Sequence, residues 1–381
     1  MNTPGLHLAY LVHDLNDPAG ARRLVMLRPH LASAVVIGFH RGAAAPASQA
    51  GWPVVALGRT ADARLGQRVL AVLRAGASLA RLRPHLAGAT VIMARQLEML
   101  ALAAAARRRY APAATLAYEC LDIHRLMTTP GPLGGLLRWL ETRLLRRTDV
   151  VVTSAPDFVS QHLAPLHGTA LPPVCLVENK VQQAELAAPP SQASHPAAPP
   201  WRIGWYGMLR CRRSLLLLAE LTRQLPGLVA VDLRGRPALA AIPDFHALVA
   251  AAPGLHFHGG YNRTYDLPAL YQAVHFNWTL DFYEAGANSA WLLPNRLYEG
   301  GLYGAVPLAL ASVATGRWLA RHQAGGLLAE PLETSLPGYF ATLTPATYAQ
   351  AAQAMAALPA TTWLDSGADA ARLAAALQLH R

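Results

Sequence analysis

Lysine is almost missing from this chain: of 33 basic residues only Lys180 is a lysine, and the rest are arginines. Arginine therefore has to fill the roles, including contact with phosphate, that other proteins share between the two. Cysteine is scarce as well. Cys120, Cys175 and Cys211 are far apart and odd in number, which argues against a disulfide framework or a zinc site and fits a reducing compartment. Charged residues make up 14% against 53% hydrophobic, a balance that excludes disorder and favours well-buried sheets. No run of about 18 uncharged apolar residues occurs, so no membrane-spanning helix is expected. The apolar stretch near the start lacks a basic leader and a cleavage site and reads as a first strand. Zinc spacing, a ribonucleoprotein aromatic motif and a basic leucine zipper are all absent, so no nucleic-acid partner is expected. A Gly-x-Gly-x-x-Gly fingerprint and an Asp-x-Asp metal motif are absent too.

What is present suits a two-domain α/β enzyme. At 381 residues the chain is too long for one ordinary core. Its net charge of +11 is uneven: residues 1–200 hold 20 basic and 11 acidic side chains, leaving 13 against 11 for residues 201–381. An arginine-rich half suits an anionic bilayer or a phosphorylated substrate.

In chain order, Leu6–Val12 reads as a strand that ends in the turn-rich HDLNDPAGARR, with a helix from about Ala21. Strand signals recur at 34–39, 53–57, 90–93, 115–120 and 150–153. A long basic helical stretch is expected over 64–83, and helices around 97–109 and 136–147. That alternation predicts a doubly wound parallel sheet. Ligands of such sheets lie outside the carboxyl ends of the strands, which draws attention to Asp14 in HDLND and to Glu119, Asp122 and His124 in YECLDIHR, residue types suited to a general base. Ordinary loop polarity and helix capping explain any one of them equally well. Arg107–Arg109 and Arg138, Arg143, Arg146 and Arg147 form two basic clusters. The second lies on the amphipathic PLGGLLRWLETRLLRR, which reads either as a solvated face or as a helix resting on a bilayer. Residues 182–200 are Ala, Pro, Ser and Gln without a pattern for a core, and read as the linker.

A second α/β domain begins with the strand RIGWYG. Gly207 permits close backbone approach, and Arg210, Arg212 and Arg213 follow at a helix start, a place for a diphosphate. The next strand closes on RGRP with Gly235. A later strand delivers the polar loop DFYEAGANSA, with Asp281, Glu284, Asn288 and Ser289, and then WLLPNRLYEGGLYGAVPLAL. Here a helix over 295–303 carries Arg296 and Glu299 three residues apart on one face, a pair able to hold an anion and to accept hydroxyl protons. Taken alone it equally suits an exposed ion pair. After Pro345 the chain reads as Ala-rich helix to Arg381.

The order WRIGWYGMLRCRRSLLLLAEL, VDLRGRP, LHFHGGYNRTYDLPALYQAVHFNW and LPNRLYEGGLYGAVPLAL resembles the donor domain of GT-B nucleotide-sugar glycosyltransferases. The run DFYEAGANSAWLLPNRLYEGG is most similar to bacterial exopolysaccharide glycosyltransferases of the succinoglycan ExoL kind. The resemblance implies two Rossmann-like doubly wound parallel-sheet domains facing a cleft: 1–181 for the acceptor, a linker over 182–200, 201–360 for the donor, and a terminal helix over 361–381 crossing back. It implies hexosyl transfer, glucose foremost, from a UDP-sugar to a polyprenyl-diphosphate-linked or other glycan acceptor at the anionic inner face of the plasma membrane, by a cytoplasmic, peripheral protein. The donor is a substrate, and no cofactor or metal is implied.

Position by position, Arg213 takes the usual lysine against the diphosphate, Arg296 the second basic place, and Glu299 the ribose hydroxyls. Gly207, Arg210, Gly235, Glu284, Asn288, Ser289, Asn295 and Tyr298 complete the donor set. Met208 stands where an arginine is common, with Arg210 as the replacement. Trp291 stands where many retaining members have a second glutamate, so the resemblance leaves stereochemistry open. For inversion, the base is Asp122 or His124, with Asp14 behind them. Two other readings remain at this point, a GT-B UDP-sugar epimerase and a two-domain sugar-binding protein without catalysis.

Overall fold

The computed structural model describes residues 5–60, 71, 74–187, 189–190 and 196–378. The chain divides into two compact units, residues 1–178 with 367–381, and residues 179–366.

The first unit is built on β1 (Leu6–Val12), β2 (Leu31–His40), β3 (Ser48–Gln49), β4 (Trp52–Arg59), β5 (Val91–Arg95), β6 (Thr115–Cys120), β7 (Val150–Thr153) and β8 (Val174–Leu176). They lie in the order β3-β4-β2-β1-β5-β6-β7-β8. All neighbours are parallel except the β3–β4 pair. β5, β6 and β7 are buried along their whole length, as strands covered by helices on both faces must be, which is why they read as near-continuous apolar runs. The first helix is Pro18–Leu27 and starts earlier than the expected Ala21. Asp17 caps it by accepting from Ala19 N, and Pro18 takes the first helical position, where a missing N–H costs nothing. Of the expected basic helix over 64–83, residues 64–70, 72 and 73 lie outside the described residues; 74–77 are helical, and a 3-10 turn, Leu79–Leu82, follows. The final helix, Ala368–Ala376, belongs to this unit and adds Ala370, Leu373 and Ala374, with Leu377 after it, to the core around Leu6, Leu8 and Leu24.

The second unit holds β9 (Val181–Gln182), β10 (Trp201–Leu209), β11 (Val229–Pro237), β12 (Leu255–Phe257), β13 (Phe276–Trp278), β14 (Val306–Leu310), β15 (Gly326–Leu328) and β16 (Leu364–Asp365). Six of them form a parallel sheet in the order β12-β11-β10-β13-β14-β15, and β9 pairs with β16 apart from it. In strand number this is the 3-2-1-4-5-6 order of a dinucleotide-type sheet. Trp201, Trp205 and Trp278, from β10 and β13, are fully buried. Within 182–200, Glu185 packs on this unit, ion-paired to Arg263 at 3.0 Å. The run after Pro345 is not continuous helix. Pro345–Ala356 is followed by Pro359, the strand β16 and Gly367 at φ +113°, and only then by the last helix. Alanine favours helix, but a proline and a glycine in the left-handed region set where it stops.

Candidate functional site

In each sheet the chain reverses direction of travel beside its first strand, between β1 and β5 and between β10 and β13. The carboxyl ends of these strands are where a ligand of such a sheet lies. A helix that follows one parallel strand and precedes the next runs antiparallel to both, so its N-terminus opens onto the same edge.

In the second unit β10 and β11 are in register along nine residue pairs, with Gly207 opposite Gly235. Gly235 has φ +130°, and a Cβ there would lie 1.9 Å from the Gly207 carbonyl oxygen. Only glycine lets the two strands close at this edge. The chain then turns through Arg210 into the Arg212–Gln224 helix, where the Cys211 thiol accepts from Ser214 N at 3.4 Å. Cys211 Sγ also accepts from Phe282 N at 3.4 Å. That contact ties the basic turn to the polar loop after β13. The Arg210 guanidinium lies over the Tyr283 ring and that of Arg213 over Phe282, each 4.5 Å from the ring centre. Arg213 also reaches Glu330 at 2.9 Å, while Arg212 turns away to Asp244. Within the loop Glu284 binds the Asn288 amide, and its N–H donates to Ser289 Oγ at 2.9 Å. Glu284, Asn288 and Ser289 thus form one closed turn.

The Asn295–Leu302 helix begins after Pro294, with Asn295 exposed at its head. Gly300 and Gly301 face Asn277 and Trp363 so closely that a Cβ would sit 2.3 Å and 2.4 Å from those side chains. This fit seats the helix and points Arg296 to the carboxyl edge. Arg296 and Glu299 do not pair with each other. Arg296 Nη2 donates to the Leu280 carbonyl at 3.0 Å, and its buried Nε–H has no partner among the described residues. The buried Glu299 carboxylate accepts from Arg263 Nε at 2.7 Å and from the Tyr271 hydroxyl at 3.4 Å. Arg263 is held by Glu185 as well, yet its Nη2 is buried without a partner among the described residues. Tyr298 stands apart from this group, because its ring is fully buried beside Trp318 in the core. Arg210, Arg213, Arg296, Arg263 and Glu299 are therefore set about one edge, with Arg296 Nε and Arg263 Nη2 buried and unpartnered among the described residues.

In the first unit β1, β5 and β6 are neighbours, so Asp14, Asp122 and His124 all follow strands ending on one edge. Asp14 is buried. It accepts from Asn16 N at 3.0 Å and lies 3.4 Å from Arg41. Asp122 is exposed; His124, also exposed, caps the short Arg125–Thr128 helix by accepting from Leu126 N at Nδ1. Glu119 is not part of that loop. Its carboxylate is wholly buried in β6, bound by Arg23 Nε at 2.6 Å, Arg95 Nε at 2.7 Å and the Tyr10 hydroxyl. Burial alone would raise its pKa, but the Arg95 and Arg23 guanidiniums outweigh that and hold it at about 2. A carboxylate so fixed is a structural charge and a poor base. Arg138 is likewise spent within the fold, donating to the Met127 carbonyl at 2.8 Å.

No family model matches the chain. It is 42% identical over 364 residues to succinoglycan biosynthesis protein ExoL of Rhizobium meliloti (strain 1021), covering 94% of this chain and 90% of that one. The chain belongs to the ExoL family of exopolysaccharide glycosyltransferases. Among solved structures, HepE of Anabaena in complex with UDP matches with a TM-score of 0.67 at 16% identity, over 98% of this chain and 99% of that one. Sucrose-phosphate synthase of Thermosynechococcus elongatus matches at 0.70 and 13% identity, over 96% and 97%. The lipopolysaccharide outer core galactosyltransferase WaaB matches at 0.65 and 11%, over 98% and 99%. These likenesses establish the GT-B fold.

Two residues of this ExoL-family chain escaped the reading of its sequence. Arg263 follows an unremarkable Gly-Gly turn, and nothing local marks it. His13 is the first residue past β1, and its Nδ1 is buried without a partner among the described residues. Burial lowers its pKa, although the Asp17 and Glu98 carboxylates pull the other way. Its position as the first polar side chain after a buried strand was the available signal.

Proposed function

We propose that this ExoL-family enzyme transfers a hexose, glucose foremost, from a UDP-sugar to a polyprenyl-diphosphate-linked glycan. The observation that carries the reading is the set of guanidiniums at the carboxyl edge of the second sheet, above all Arg296, whose buried Nε–H has no partner among the described residues. As the glycosidic bond breaks, the departing diphosphate gains charge, and Arg210, Arg213 and Arg296 stabilise that state more than the ground state. The neighbouring helix N-terminus adds to the same field. With this charge supplied by the protein, the transfer needs neither metal nor cofactor. Glu299, oriented by Arg263 and Tyr271, receives the ribose hydroxyls. HepE, which shares the fold, has been crystallised with UDP-glucose, and this supports the choice of donor.

The acceptor meets the first unit. In an inverting reaction a base there takes the proton of the acceptor hydroxyl as its oxygen attacks the anomeric carbon and UDP leaves. Asp122, His124 and Asp14 are the candidates from the sequence; His13, whose Nδ1 is buried without a partner among the described residues and whose pKa burial lowers, joins them. The Pro132–Leu145 helix exposes Leu133, Leu136 and Trp139 by 45%, 58% and 58%, with the Arg143 guanidinium over the Trp139 ring. Apolar side chains beside arginine suit an anionic leaflet, and the enzyme would act there as a cytoplasmic, peripheral protein. No described helix is long and apolar enough to cross a membrane.

The test is to incubate the purified protein and a membrane extract with a panel of radiolabelled nucleotide sugars. Label from UDP-glucose should enter the lipid fraction. Release of free sugar without an acceptor would replace the proposal with epimerase chemistry, and UDP binding without turnover of any donor would replace it with sensing.

A further inference from the structure

The first unit contains a buried cluster that glycosyl transfer does not use. Glu141 lies on the Pro132–Leu145 helix, and His162 and His167 lie on the helical segment 156–167. The side chains of Glu141, His162 and His167 are 1%, 2% and 0% exposed. Both imidazoles turn Nε2 to the same oxygen, Glu141 Oε2, at 3.3 Å from His162 and 2.7 Å from His167. The second oxygen, Oε1, accepts from the Tyr118 hydroxyl at 3.1 Å.

Two features show that this convergence is built. On a straight α-helix, residues five apart point about 140° away from each other. Here a π-turn occupies Val159–Leu163, with Ala164 N–H bonded to the Val159 carbonyl. It absorbs one residue and brings the two histidines to within about 40°. The second feature is the support behind His167. Thr142 Oγ1 lies 2.9 Å from the Arg138 carbonyl and 2.8 Å from His167 Nδ1. With the Thr142 proton on the Arg138 carbonyl, Nδ1–H donates to Thr142 and Nε2 turns its lone pair to Glu141, 2.7 Å away, the tautomer that a metal ligand needs. With that proton on Nδ1 instead, Nε2–H donates to Glu141 and no cation is required.

We propose that Glu141, His162 and His167 form a structural site for a divalent transition cation of the zinc class. Two imidazole nitrogens and a carboxylate oxygen are a zinc-type donor set. The 3.3 Å edge from His162 to Glu141 matches the ~3.3 Å edge of a tetrahedron with zinc bonds of about 2.0–2.1 Å, and the 2.7 Å edge from His167 has to widen by roughly half an ångström to admit the ion. The hydrogen bond from His167 Nδ1 to Thr142 is the outer contact that fixes the tautomer of a metal-binding histidine. The rival is a neutral cluster in which the Nε2–H groups of both histidines donate to Glu141 Oε2. The cation clamps the Pro132–Leu145 helix to segment 156–167, and the donor chemistry does not depend on it.

The full-length protein, made without a histidine tag or chelator, should carry about one equivalent of zinc by elemental analysis. After chelation, Co2+ should restore one equivalent and give the intense visible bands of a tetrahedral nitrogen–oxygen site. Thr142→Ala, which leaves all three ligands in place, should weaken zinc binding about 10–100-fold, and His162→Gln should lose the equivalent. Protein that purifies without metal and whose melting temperature is unmoved by added Zn2+ or Co2+ would overturn the proposal and leave hydrogen bonds alone in the cluster. Metal that survives both substitutions would overturn it as well, by placing the ion elsewhere.

Discussion

Arg296 has one guanidinium N–H spent on the Leu280 carbonyl and another spent on nothing described. Arg296→Ala should therefore weaken UDP binding about 10–100-fold, as expected for the loss of charge-assisted hydrogen bonds, while the melting temperature moves little. Titration calorimetry with UDP measures the first, and unchanged affinity would remove Arg296 from the donor site. Glu119 makes a prediction of the opposite kind. Its carboxyl titrates at about 2 in the fold against an ordinary 4.5, so the stability it contributes is complete above pH ~4.5 and is lost as pH falls toward 2. The whole effect is about 3 kcal/mol. Denaturant midpoints of the native chain should fall through that window, and Glu119→Gln should lower the midpoint at pH 7 and flatten the fall. Sequence grouped Glu119 with Asp122 and His124 in one loop, as residue types suited to a general base. Its partners Arg23 and Arg95 are brought by helix Pro18–Leu27 and strand β5, 96 and 24 residues away, and no local pattern records so distant a pairing. Arg296 and Glu299 were legible as residues to watch because they share one helix, but which groups each would bind was decided by elements outside it.

Strands with both faces covered were the easiest to read, because β6 and β7 present largely apolar runs between polar turns. The helix at 295–302 was legible for a different reason, its proline start and glycine end. Segment 156–176 gave no clear signal: prolines and histidines interrupt its apolar residues, and the π-turn shifts the helical period that a sequence reading relies on. The glycines at the carboxyl edge allow a test at this scale. Gly235→Ala forces a Cβ toward the Gly207 carbonyl from a backbone at φ +130°. It should cost about 2 kcal/mol or more through overpacking and backbone strain, and should lower UDP affinity by moving the turn that leads to Arg210 and Arg213. Gly207→Ala meets open space but shares the positive φ, so it should cost less. Equal losses of melting temperature in the two variants would show that the close approach is unimportant.

For the molecule as a whole, the basic excess of residues 1–200 and the exposed Leu136 and Trp139 predict binding to vesicles containing an anionic phospholipid. Leu136→Ser with Trp139→Ser should reduce that binding about tenfold or more, and UDP affinity should not change. Sedimentation with vesicles at low and high salt checks both the apolar and the electrostatic parts, and a double variant that pellets like the parent would exclude this helix. The last helix offers another consequence. Ala370, Leu373, Ala374 and Leu377 finish the core around Leu6 and Leu24, yet a ribosome makes them only after the entire second unit, residues 179–366. At about 5–20 residues per second, roughly 10–40 s pass between synthesis of the two parts of one core. Meanwhile the nascent first unit has an uncovered apolar face, a client for chaperones. Translation products halted at residue 366 should remain protease-sensitive over residues 5–178, and adding residues 367–378 should protect them.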